Sequence, residues 1–389
     1  MSINNSISKI TKRTNLLPTV LAHHSKGYHT SIDSNRNPVW SKTVSEAEKI
    51  VGYSTSFLNL RGLLSDEIAN IAVFLRKLME SNHPLIDIAK NLINNGRVNA
   101  QPWGLIVLLI SKAAGLSKPN SLEGRETIGI LHSQRVLAEV TEIIRAGFSI
   151  HKGLINIQTD VYSNTELINM KFGNKVALLS GDHLLANSYS QLAALRNQEV
   201  SELMSIAVRD IAQADFVGRR DNQNNIIPSV PPEDKIGYAV REWTLQNTLS
   251  VGSLLGKSCQ GTLNLGGHNE EIQECGYQFG KHLALAWQTG VDLEPFTKKS
   301  SLPIHFNLCS APVMFQIEHD SAILEEINKG LESIHNIDYL KIYDLTINGP
   351  GIERTKELQK HHSQKAIDAL NTFQDSNAKT ALINIVSAI

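Results

Sequence analysis

Several absences narrow what this chain can be. Neither sign of charge is in excess: 37 Lys and Arg face 38 Asp and Glu in 389 residues. No global field therefore points to nucleic acid or an anionic membrane as a partner. Long apolar runs are missing. The stretch Leu105 to Ile110 is closed by Lys112, whereas a membrane-spanning helix needs about 20 apolar residues, so no transmembrane segment is expected. Cysteine is scarce. Cys259, Cys275 and Cys309 match no zinc or redox spacing, and an odd count argues against a disulfide framework. Buried thiols in a reducing compartment are the expectation. Acids are absent from residues 1–32, which hold Lys9, Lys12, Arg13 and Lys26 among many Ser, Thr and Asn; the first acid is Asp33. That is the composition of a mitochondrial transit peptide. Residues 1–40 are read as a leader outside the fold, with a disordered basic tail as the other reading.

What is present is mostly helical patterning. Ser45-Glu46-Ala47-Glu48 has the spacing of a capping box, which would start a helix there. Ile68, Ile71, Leu75, Leu78 and Met79 recur at three-and-four spacing. His83-Pro84 marks a break. Leu85 to Ile93, Leu105 to Ala114, and the series Val136, Leu137, Val140, Ile143, Ile144, Phe148 read as helices, as do Leu184-Leu185 and Leu192 to Leu195. The last helices run through Ala366 to Leu370 and Ala378 to Ile389, the final one capped by Asp375 or Ser376. Alternating strand patterns are scarce and no βαβ rhythm appears. The fold class is therefore an all-α, multi-helix bundle in one domain, residues 41–389. Its clearest interruption, 219–234, contains Pro228, Pro231 and Pro232 and reads as a mobile surface loop.

Several patches then carry a resemblance. Gly173-Asn174-Lys175-Val176-Ala177-Leu178-Leu179-Ser180-Gly181-Asp182-His183-Leu184-Leu185-Ala186 resembles the "AVLxGDxLLxxA" segment of trans-polyprenyl diphosphate synthases. Leu137-Ala138-Glu139-Val140-Thr141-Glu142-Ile143-Ile144 resembles their "LAExxExIH" helix, and Gly351 to Ile389 their last two helices. The likeness covers roughly residues 44–389 in order. Val44 to Tyr53, Val107 to Gly115 and Lys257-Ser258-Cys259-Gln260 make it greatest to the second subunits of decaprenyl-type synthases. The resemblance implies the terpenoid-synthase helical bundle and a heteromeric enzyme making the polyprenyl tail of ubiquinone. Gly147, five residues before the first motif, stands where small residues in the family permit long products.

The family's reaction ionises an allylic diphosphate, and magnesium held by two aspartate-rich motifs neutralises the leaving group. Such an ion wants hard oxygen ligands. An Asp-Asp-x-x-Asp spacing on a helix puts the first and last carboxylates on one face. Here the first motif falls on Lys152, Gly153 and Asn156. Three carboxylates, about −3 in charge, give way to one positive charge that would repel magnesium. The second motif follows Trp287-Gln288 and falls on Val291, Asp292 and Pro295, with Glu294 out of register. Pro295 would break the helix, and Asp292 with Glu294 reads as a solvated helix end. The basic grip on isopentenyl diphosphate is damaged too. Its stretch aligns with Asn99-Ala100-Gln101-Pro102-Trp103-Gly104, Arg97 is out of register, and a later Lys-Thr pair falls on Gln246-Asn247. Lost contacts of this kind each cost several kcal/mol of transition-state stabilisation.

The expectation is therefore a chain with no catalytic, cofactor-binding or metal residues of its own, working as the non-catalytic subunit beside a motif-intact partner that holds the magnesium. Asp182 is expected to cap a helix start after Gly181, His151 to be a core or interface histidine, and His361-His362 to be a solvated face. Two other readings are a prenyl-lipid-binding scaffold in quinone assembly and a diverged active enzyme using Asp292, Glu294 and His151.

Overall fold

The structure is a computed structural model that describes residues 38–52, 83–88, 101–117, 126–127, 129–157, 163–233, 236–297, 306–333 and 336–389. The periodic series at Ile68 to Met79, the residues Arg97, Asn99 and Ala100, and the leader up to residue 37 lie outside them.

In chain order the helices are α1 (Pro38–Val51), α2 (Trp103–Ala114), α3 (His132–His151), α4 (Asn164–Ala194), α5 (Gln198–Ala214) and α6 (Tyr238–Asn247). A π turn at Thr248–Gly252 leads into α7 (Ser253–Leu265). Then come α8 (Glu270–Thr297), α9 (Ala311–His319), α10 (Ala322–Asn328), α11 (Tyr339–Ile347), α12 (Gly351–Ala369) and α13 (Asn377–Ser387). Strand structure among the described residues is two short antiparallel hairpins, β1–β2 (Glu126–Thr127 with Ile130–Leu131) and β3–β4 (Arg219–Arg220 with Ile226–Ile227). The all-α expectation holds, and the second hairpin occupies the predicted loop.

α2 is apolar all round, so it must be central. Leu105, Ile106, Val107, Leu109 and Ile110 are fully buried, with α1, α3, α7 and α13 packed around it. Each such side chain contributes about 1.5–3 kcal/mol of burial energy. Hydroxyl pairs cross the same core: Ser111 Oγ to Thr262 Oγ1 at 2.6 Å, and Thr141 Oγ1 to Ser258 Oγ at 2.8 Å. α7 and α8 approach closely because Gly280 has no side chain; a Cβ there would lie 2.6 Å from the Leu255 carbonyl oxygen.

Two helix starts differ from the sequence reading. α1 begins at Pro38, so Ser45 lies mid-helix and forms no capping box. The first turn of a helix tolerates proline because its missing N–H would be unpaired there anyway. The series ending at Leu195 belongs to one 31-residue helix, α4, capped by Ser163, whose hydroxyl accepts from the Glu166 amide. At the last helix, Ser376 rather than Asp375 supplies the cap, accepting from the Lys379 amide at 3.2 Å.

Candidate functional site

α3 stops where the first motif begins. His151 is its last residue, Lys152 its C-cap, and the chain beyond Gly153 is not helical. Lys152 and Asn156 therefore do not stand one turn apart on a helical face. Packing fixes this exit. A Cβ on Gly153 would lie 3.0 Å from the Ile150 carbonyl oxygen and 3.1 Å from Ile88. Asn174, from α4, then pins the extended segment: its amide donates to the Ile155 carbonyl at 2.8 Å and its oxygen accepts from the Ile155 amide at 3.0 Å. The same oxygen lies 3.2 Å from Nε2 of buried His83, whose ring fits because residue 173 is glycine. Asn156 donates to the Gln223 carbonyl in the β3–β4 turn at 3.1 Å. Burial lowers the Lys152 ammonium to about 8, opposed by the charge of Asp215 at the end of α5.

His151 is half-buried and paired rather than sealed in the core. Its Nε2 lies 3.2 Å from Asp182 Oδ1 and 3.2 Å from the Leu178 carbonyl. Asp182 is not a cap: it sits in the middle of α4 and is exposed. Gly181 marks a close approach, since a Cβ would fall 2.2 Å from the His151 ring. Gly147 serves the same seam, 3.3 Å from Leu185 by the same measure.

The second motif lies near the end of α8, which continues through Pro295 to Thr297 instead of breaking. Asp292 is not solvated. It is 6% exposed and accepts three hydrogen bonds: from Trp243 Nε1 at 2.7 Å, the Ala311 amide at 2.8 Å and Gln288 Nε2 at 2.9 Å. One carboxylate thus ties α6 and α8 to the first amide of α9, where negative charge suits a helix N-terminus. Burial dominates and pushes its carboxyl up to about 6, while the three donors pull the other way. Burial raises the neighbouring Cys309 thiol, with Glu242 and Asp292 adding to it. All three cysteines are free; Cys259 is buried, while Cys275 and Cys309 are only partly covered.

The positions of the expected basic grip do structural work. Trp103 is buried at the start of α2, and the Gly104 amide donates to buried Glu142 Oε1 at 2.8 Å; Glu142 also pairs with Arg145. Gln246 donates to the Ala214 carbonyl at 2.9 Å, and Asn247 to the Trp243 carbonyl at 2.8 Å.

The histidine pair divides. His361 is exposed, but His362 is 4% exposed and its Nδ1 lies 2.9 Å from His282 Nδ1 across the α8–α12 interface. Burial first, then cationic neighbours, lowers His282 to about 4 and His362 to about 3. Sequence reasoning missed His282, Trp243 and the burial of Asp292 and His362. The signal was available: His362 falls on the stripe of Leu358 and Ala366, and Asp292 on that of Leu285, Thr289 and Phe296.

An all-α body with degenerate aspartate-motif positions at the ends of α3 and α8 fits the helical bundle of a prenyl diphosphate synthase. The chain is similar to a decaprenyl diphosphate synthase from Rhodobacter capsulatus, with a TM-score of 0.56 at 18% identity, covering 88% of this chain and 97% of that one. A polyprenyl synthase from Caulobacter crescentus superposes with a TM-score of 0.57 at 16% identity, over 86% and 96% of the two chains. No protein-family model matches. The human protein named all trans-polyprenyl-diphosphate synthase PDSS2 is 41% identical over 362 residues, 92% of this chain and 89% of its own length. A probable mitochondrial hexaprenyl pyrophosphate synthase of Neurospora crassa is 27% identical over 93% of this chain and 90% of its own. The chain belongs to the trans-polyprenyl diphosphate synthase family, and so to isoprenoid biosynthesis.

Proposed function

We propose that this chain is the non-catalytic subunit of a heteromeric all-trans-polyprenyl diphosphate synthase of decaprenyl type, supplying the isoprenoid tail of ubiquinone. The observation that carries the reading is Asp292. It is the one carboxylate in register at either motif, and its oxygens are already committed to Trp243, Ala311 and Gln288 in the interior. The residues do not fit a magnesium–diphosphate cluster. Lys152 has the ion's own sign, Asn156 brings one neutral oxygen from a non-helical segment, and Val291 and Pro295 bring none. Among the described residues no group of three or more His, Cys, Asp or Glu is placed to hold a metal. On this reading the chain contributes no catalytic, cofactor or metal residue, and magnesium belongs to a motif-intact partner in a heterodimer or heterotetramer.

The exposed Leu178, Leu179 and Tyr189 on α4, at 45%, 55% and 40%, are the face we assign to that partner. The relative named all trans-polyprenyl-diphosphate synthase PDSS2 supports a place in polyprenyl diphosphate synthesis. The import leader falls within residues 1–40 but ends before α1, which starts at Pro38 and buries Trp40 in the core, and the rest is one helical domain; relatives named mitochondrial support that location. No helix among the described residues is long and apolar enough to cross a membrane. Co-expression with a motif-intact homologue tests the reading. The chain alone gives no prenyl transfer and the pair gives turnover; turnover by the chain alone would refute it.

A further inference from the structure

The stretch that reads as a mobile surface loop in the sequence is held by its own side chains. Its turn is built around Asp221, which is buried. Asp221 Oδ1 accepts from the Gln223 amide at 2.9 Å and the Asn225 amide at 2.7 Å, and Oδ2 accepts from the Asn225 side chain at 2.7 Å. Arg220 donates to the Asn224 carbonyl at 2.7 Å. Asn224 takes the left-handed backbone, φ 67°, that asparagine tolerates. A carboxylate that satisfies the amides of its own turn fixes the shape of that turn.

The same stretch is fastened to three neighbours. At its tip, the side chain of Asn156, the last position of the first motif, donates to the Gln223 carbonyl at 3.1 Å. Beside the tip, the Asn222 amide donates to the Leu331 carbonyl and Arg219 Nη1 to Asn328 Oδ1, each at 2.9 Å, so the hairpin is joined to the end of α10. Farther on, Ile227 is 2% exposed, in one apolar cluster with Trp243 and Phe296. The Ser229 amide donates to Glu242 Oε1 at 3.0 Å, and its carbonyl accepts from the Tyr238 hydroxyl at 2.5 Å. Both partners lie on α6, the helix whose Trp243 holds Asp292. Gln223 and Ile227 are four residues apart, at most about 14 Å of extended chain. One short segment therefore runs from the first motif position to the surroundings of the second.

We infer that residues 219–229 form a strap across the two degenerate motif positions, which bars a prenyl diphosphate from the place where the family holds its leaving group. The inference rests on the non-catalytic reading above and deepens it. The chain then lacks metal ligands and also refuses the substrate, so that all prenyl diphosphate is left to the partner.

Three measurements on the full chain test it. Titration calorimetry of wild type with farnesyl diphosphate and magnesium should show no saturable binding. Hydrogen exchange of wild type should show the Asn222 and Asn225 amides protected relative to an unstructured chain. In a variant with residues 221–225 replaced by two glycines, mass spectrometry should find Cys309 modified by N-ethylmaleimide roughly tenfold faster or more than in wild type, with circular dichroism unchanged. Cys309 is the reporter because its partly covered thiol lies close enough to Glu242 and Asp292 to feel their charge. Saturable binding by wild type, strap amides exchanging at the open-chain rate, or equal labelling of the two folded proteins would each overturn the strap. If the variant does not fold, the two wild-type measurements decide. Turnover by the chain alone would remove the non-catalytic reading and the strap with it, whereas farnesyl diphosphate binding without turnover would remove the strap alone.

Discussion

Replacing Asp292 separates a structural carboxylate from a catalytic one. Asp292→Ala removes the acceptor of three donors at once. Trp243 Nε1, Gln288 Nε2 and the Ala311 amide are then left in the interior without it. A buried donor left unpaired costs about 1–3 kcal/mol, so the loss is about 3–9 kcal/mol for three, a large part of a domain's margin. Asp292→Asn behaves differently. Its carbonyl can keep the bonds from Trp243 and Ala311, both now made to one carboxylate oxygen, and Gln288 can turn its own amide to accept. The expected change at pH 7 is within about 1 kcal/mol. A pH signature accompanies it. The folded carboxyl stands at about 6 against 3.8, a shift of about 2 units, or about 3 kcal/mol. Because the folded value is raised, the stabilisation is present below 3.8 and lost as pH rises through about 6. Wild type should therefore gain on Asp292→Asn when pH falls from 7 to about 4.5. Urea unfolding of both proteins across that range, with turnover of the co-expressed pair at pH 7, measures all of this. Turnover should stay within about a few-fold in the Asn variant. A hundredfold loss of turnover with unchanged unfolding would refute the reasoning and give Asp292 a catalytic role.

The buried histidine pair predicts the opposite slope. His282 and His362 have lowered folded values, about 4 and about 3, so their contribution is present above 6.5 and lost as pH falls toward those values. His282→Asn/His362→Phe should flatten the loss of melting temperature between pH 6.5 and 4.5; an unchanged slope would contradict it. Gly280→Ala would put a Cβ 2.6 Å from the Leu255 carbonyl oxygen and 2.8 Å from its carbon. Backbone cannot yield as a side chain can, so α7 and α8 must separate at a cost of about 1–3 kcal/mol or more. A neutral result in denaturant unfolding would contradict that packing.

The helices were legible because their apolar residues recur at helical spacing, as in α3, or run unbroken over a buried helix, as in α2. Errors came where one residue type serves two purposes. Gly181 reads as a helix start beside Asp182, yet it is a mid-helix gap for the His151 ring. Pro295 reads as a breaker, yet it falls in the last turn of α8, where little helix remains to be lost. Asp292 reads as one of two acids at a helix end. Its partners Trp243 and Ala311 are 49 and 19 residues away, so no local pattern could supply them, although its place on the Leu285–Phe296 stripe shows that it points inward. His361 and His362 look alike in sequence, but successive helical residues point about 100° apart, and only His362 lies on the buried stripe.

The division of labour between the subunits is the central claim. The most direct measurement is turnover of the co-expressed pair after every motif aspartate of the partner is changed to asparagine, with assembly confirmed by size. The account predicts turnover at the background level, because Lys152, Gly153, Asn156, Val291 and Pro295 supply no carboxylate and Asp292 is held by three donors. An assembled pair that kept a substantial part of its turnover would contradict it.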